Sequence, residues 1–219
     1  MGLLALSALL VAGTGFFLFA KTIPNLNINQ KKVYKDLQMM QEEVQKILSD
    51  PVALDRSDLD ILSYHIAHWD RKKRFSKQAK GVITSIFEEP MVGFFYRRYN
   101  KKDGLLYAQT KHRSFYFWEK RGETRVVIDE QVLGSYRPAT GILVGEQSGR
   151  MIAKVDKENP DRRPLLIQGR EVASIQLTTA SDVLQRVFDF TASELSAEEE
   201  AILLALTVYE IVKQKVAKD

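Results

Sequence analysis

The chain contains no cysteine. That excludes disulfides, thiolate zinc sites and thiol nucleophiles together, and it fits a reducing compartment. Histidine is nearly as scarce, with three among 219 residues, so an imidazole metal site has few ligands to draw on. Equally absent are a nucleophile elbow, a P-loop, a dinucleotide fingerprint and an HExxH helix. Scattered carboxylates such as Asp129, Glu130 and Glu146 offer no basis for an acid–base assignment. Catalysis has no support in the sequence, and no cofactor or metal is implied.

Long hydrophobic runs are also rare. Residues 3–20, LLALSALLVAGTGFFLFA, hold 18 uncharged positions, about 27 Å at ~1.5 Å per residue, enough for the hydrocarbon core of a bilayer. A retained anchor and a cleaved signal peptide both place an apolar stretch here. Signal peptides carry a positive n-region and a shorter apolar core, which favours the anchor. Lys21, Lys31, Lys32 and Lys35 follow the run, so the positive-inside rule puts the N-terminus outside and the rest of the chain in the cytoplasm.

Beyond a short connector at 22–30, Val33, Leu37, Met40, Val44 and Ile47 recur at steps of 4, 3, 4 and 3. The stripe predicts a helix closed by Pro51, either packed on the following domain or paired with a second copy through residues 33–47. A second helix is expected from about residue 57, with Leu59, Leu62, Ile66 and Trp69 on one face, running on to Gly81. His65 and His68 would then share a helix face at i and i+3 and, with Asp70, make a weak metal pattern in which further ligands are not indicated.

From residue 81 the period changes. Short runs rich in β-branched and aromatic residues occupy 81–87, 91–99, 105–111, 114–120, 124–130, 141–147, 150–155, 165–169 and 170–177, separated by glycine-bearing turns. They predict an antiparallel sheet closed into a barrel or sandwich, without the alternation of a doubly wound fold. Period-2 placement sends Phe115 and Phe117 to one face and Tyr116 and Trp118 to the other. The segment 159–164, NPDRRP, reads as an exposed loop.

Helical punctuation returns with two capping boxes, at 191–194 and 196–199. The helix that follows, SAEEEAILLALTVYEIVKQ, is apolar on every side, which a surface helix is not. Its longest uncharged stretch, 201–209, is too short to span a bilayer, for which about 20 residues are needed. Protein must therefore surround it, and Glu210 needs a buried partner.

Antiparallel strands leading into RVFDFTASELSAEEEAILLALTVYEIVKQ, with GEQSGRMIAKV and GREVASIQL before it, resemble the C-terminal part of the tubby-like superfamily, which includes tubby, LURP-one-related proteins and phospholipid scramblases. The resemblance covers about residues 81–215. It implies a closed barrel of roughly twelve strands threaded by the final hydrophobic helix. The chain departs from scramblases in lacking a cysteine-rich segment and in carrying its apolar run at the N-terminal side. Tubby's phosphoinositide-binding positions have no residue-by-residue match here.

Six cations, Arg71, Lys72, Lys73, Arg74, Lys77 and Lys80, form a run with no acid among them. A solvated helix face is the ordinary reading of such a run. Contact with anionic lipid is the functional one, since each cation close to an anionic leaflet gains about 1 kcal/mol. Nucleic acid stands last. The expected organisation is an anchor at 1–21, a helical connector at 22–80 and an α+β tubby-like barrel domain at 81–219. The expected function is a membrane-anchored, non-catalytic binding or scaffolding protein that touches anionic lipid through the basic segment and has a protein partner no residue identifies. A membrane-tethered enzyme or binding protein with a cavity in the barrel, and a dimeric cell-envelope assembly subunit, are the alternatives.

Overall fold

The computed structural model describes residues 30–54, 56–72, 77–158, 162–176 and 185–218. The run at 3–20, most of the connector after it, and Lys73 and Arg74 lie outside the described residues, as do the side chains of Lys72 and Lys77. The first helix, α1, spans Gln30–Ile47. A 3-10 turn at Arg56–Ile61 leads into β1 (Leu62–Lys72), β2 (Lys77–Ser85), β3 (Pro90–Arg98), β4 (Gly104–Gln109), β5 (Ser114–Lys120) and β6 (Glu123–Ile128). Then follow β7 (Gln131–Arg137), β8 (Ile142–Gly145), β9 (Met151–Val155), β10 (Arg162–Ile167), β11 (Arg170–Gln176), β12 (Phe188–Thr191) and the final helix α2 (Ala197–Lys218).

All twelve strands belong to one antiparallel sheet in sequential order. Its two edges approach each other where Ser63 bridges Arg186, the Tyr64 amide donates to the Gln185 carbonyl at 3.1 Å and the Val187 amide donates to the Leu62 carbonyl at 2.8 Å. The Tyr64 hydroxyl also donates to the Gln176 carbonyl. The result is a nearly closed β-barrel.

The interior is filled by α2. Every residue from 201 to 212 is buried, and Leu203 and Leu206 are wholly so at 0% exposed. Burial of a side chain of this size contributes about 1.5–3 kcal/mol before entropy is counted, which is why a helix apolar all round sits inside and not on the surface. The helix begins where the sequence places it: the Ser196 hydroxyl accepts from the Glu199 amide at 3.2 Å, and the Glu199 carboxylate accepts from the Ser196 amide at 2.8 Å.

Alternation along the strands builds two cores from one sheet. Phe115 and Phe117 point in toward α2. Trp118 and Tyr116 point out, where Trp118 joins Val82, Phe95, Leu105, Tyr107 and Val127 beneath the α1 stripe of Val33, Leu37, Met40 and Val44. That stripe is thus consumed by packing, and a dimer through residues 33–47 would need it released. Gly93 permits the close approach: a Cβ there would lie 2.8 Å from Val44 Cγ1 and 3.0 Å from Leu48 Cβ.

The second predicted helix is absent from the described residues. Residues 62–72 and 77–80 are instead β1 and the start of β2, so the barrel begins at Leu62 and the connector before it is shorter than the expected 22–80. Two register shifts in β1, between Leu62 and Ile66 and between Ala67 and Asp70, give the strand a helix-like spacing. The second lies beside His68, at φ 52, and lets Ile66 and Trp69 both pack against the inner core although they stand an odd number of residues apart. Spacings of 4 and 3 are what a helix face would also give.

Candidate functional site

The two ends of the barrel differ in charge. At the end where α2 begins, the Arg113 guanidinium donates to the Ala197 carbonyl at 3.3 Å, and Arg170 reaches the Glu199 carboxylate at 2.7 Å. The exposed side chains of Glu88, Glu89, Asp129, Glu146, Glu194 and Glu198 crowd this end and outnumber its exposed cations Lys111, Arg150 and Arg170.

At the opposite end, where α2 finishes, a polar network pins the helix to the wall. Glu210 is 5% exposed and accepts three hydrogen bonds of 2.7 Å, from the Tyr136 hydroxyl, Lys157 Nζ and Arg163 Nη1. Those donors answer the question raised by a carboxylate in the buried helix. A second cluster forms around Glu119, which accepts from the Tyr96 hydroxyl at 3.0 Å, the Tyr209 hydroxyl at 3.1 Å and Lys213 Nζ at 2.9 Å. Burial first, and then the neighbouring carboxylates, push the hydroxyls of Tyr96, Tyr136 and Tyr209 well above the usual tyrosine range, so they remain donors.

Beyond this network the same end is lined by cations. Lys101 and Lys102 in the β3–β4 turn and Arg121 in the β5–β6 turn are exposed, and none forms a salt bridge among the described residues. Arg71 pairs with Ala79, which pairs with Tyr96, so all three share the inner face at this end. Its Nη1 is buried without a hydrogen-bond partner among the described residues. Lys215 sits over the Trp69 ring at 5.6 Å.

The four predicted site residues that lie among the described residues therefore stand on strands and share no helix. Arg71 and Lys72 end β1, and Lys77 and Lys80 lie on β2. Lys80 faces outward and is not free, because its Nζ donates to Glu43 on α1 at 2.9 Å. Lys46 and Lys80 together hold the Glu43 carboxyl down at about 2. Glu43→Gln is expected to cost about 0.5 kcal/mol at neutral pH, the solvated pair being screened. Glu43 has the lower pKa when folded, so this contribution is complete above its unfolded value near 4.5 and is lost as pH falls through about 2. Urea midpoints of the two proteins across that range should converge at the acid end.

His65 and His68 lie on β1 and are both exposed, with the His65 Nδ1 3.1 Å from the Thr84 hydroxyl. No group of three or more His, Asp or Glu among the described residues could hold a metal. A groove of about 220 Å³ lies outside the barrel, between α1 and β2, lined by Met39, Glu43, Asp70, Gln78, Lys80 and Phe95. Among the described residues no helix is long and apolar enough to cross a membrane; the run at 3–20 lies outside them. No family model, curated protein or solved structure matches the chain.

Proposed function

We propose that the chain is a membrane-anchored, non-catalytic binding or scaffolding protein, held at the cytoplasmic face by residues 3–20, with a barrel of the tubby-like type that touches anionic lipid through its basic segment. The observation that carries the reading is the filled interior. With residues 201–212 all buried inside the sheet, α2 takes the space a substrate would need, so recognition falls to the outer surface. The twelve-strand order and the buried final helix support the likeness to the tubby-like superfamily.

Lipid contact through the β1–β2 arms is tested by flotation of residues 22–219 with anionic vesicles. Reversal of Arg71, Lys72, Lys73 and Arg74 to glutamate is expected to abolish binding, since each cation near the surface contributes about 1 kcal/mol. Unchanged flotation of the reversed protein would remove lipid contact from the function.

A further inference from the structure

The position of α1 fixes where the chain arrives at the barrel. Lys32 Nζ lies 5.7 Å from the centre of the Tyr99 ring, and Asp36 accepts from Arg97 and from the Tyr99 hydroxyl at 2.8 Å. At its other end α1 packs Val44 and Leu48 against Gly93, and the Val52 amide donates to the Pro90 carbonyl at 2.9 Å. The helix thus runs up the outside of the barrel from the basic end to the acidic end. Residue 30 starts at the basic end.

Residues 21–29 are all that separate the apolar run from α1. At ~3.5 Å per residue they reach about 30 Å at most, whatever their conformation. The end of the barrel nearest the tether is also the one carrying Lys101, Lys102, Arg121 and Arg71, together with Lys32 and the α2 exit at Lys215.

We propose that the barrel docks end-on, with this basic end seated on the anionic headgroups of the bilayer and the acidic end directed away from it. The proposal rests on the reading of residues 3–20 as an anchor. It differs from contact through the 71–80 segment alone, because the turns after β3 and β5 would also touch lipid. Cations outnumber the acids Asp103, Glu123 and Glu158 at the tethered end, so its net positive charge gains from close approach, whereas the net-negative acidic end would be repelled by the same leaflet.

The absence of cysteine makes the test direct, because one substitution gives one probe. Full-length chains carrying Ala139→Cys, in the exposed β7–β8 turn at the basic end, or Gln147→Cys, in the exposed β8–β9 turn at the acidic end, are labelled with a fluorophore and reconstituted into phosphatidylcholine vesicles bearing headgroup spin labels, with and without phosphatidylserine. End-on docking predicts several-fold stronger quenching at position 139 than at 147. The difference should require phosphatidylserine, be relieved by salt, and fall to the level of position 147 in K101E/K102E/R121E. Equal or stronger quenching at 147 overturns the orientation. Quenching at neither position, with the chain floating with the vesicles, overturns end-on docking while leaving the anchor intact. A chain that does not float with the vesicles at all removes the anchor, and the proposal with it.

Discussion

Leu206→Ala is expected to lower the unfolding free energy by about 3–4 kcal/mol, and Leu206→Lys to prevent folding altogether. Leu206 is wholly buried at the middle of α2, inside the ring of strands. Truncation removes the transfer energy of the lost methyl groups and leaves a cavity that a closed sheet has little freedom to collapse, since moving one strand disturbs the ladder on both sides. A lysine at the same place has no route to water and would have to be buried, charged and unpaired. Urea unfolding followed by tryptophan fluorescence measures the first effect, and soluble yield the second. A loss below about 1 kcal/mol for Leu206→Ala would mean that α2 is not the core of the barrel.

Glu210→Ala should cost about 3 kcal/mol, with a smaller loss for Glu210→Gln. The carboxylate is the common acceptor for Tyr136, Lys157 and Arg163. Its removal leaves the Tyr136 hydroxyl, itself wholly buried at 0% exposed, without its partner and brings two cations together with nothing between them. The amide of glutamine retains an acceptor for the hydroxyl but not the charge, so the loss in Glu210→Gln reports the electrostatic share and the further loss in Glu210→Ala reports the hydrogen bond and packing. Urea midpoints for both variants, for Arg163→Met alone and for each combination with it, close a double-mutant cycle. Equal stability of wild type and Glu210→Ala would show that the network does not hold the helix.

The final helix was legible because its evidence is local. The capping box at 196–199 fixes its start, and apolar residues on all sides exclude a surface position, whereas Thr191 of the other predicted box ends β12. Most strands from residue 81 on were legible for the same reason, through alternation and glycine turns. The β6–β7 turn was not. Asp129 and Glu130 take φ of 47° and 67°, the conformation for which hairpins usually use asparagine and glycine. Two acids in that place read as the end of a strand, and β7 went unseen. The first strand was lost to its own bulge, which mimics helical spacing.

At the site the limit is of another kind. The partners of Glu210 lie 47, 53 and 74 residues away, on β10, after β9 and on β7. No pattern along the chain announces such pairs, because only barrel closure brings those residues to one end. The same holds for Lys80, whose partner Glu43 is 37 residues distant and on the other side of a helix–sheet interface. A run of cations in sequence therefore divided in space, with Arg71 on the inner face at the barrel end and Lys80 beneath α1.

Membrane attachment is the premise on which the proposed function stands, and alkaline carbonate extraction tests it most directly. Membranes from cells producing the full-length chain, and from cells producing the chain with residues 3–20 removed, are washed in carbonate and sedimented. The full-length chain should stay in the pellet while the shortened one moves to the supernatant, because electrostatic contact alone does not survive the wash and a spanning helix does. Release of both into the supernatant would contradict the anchor.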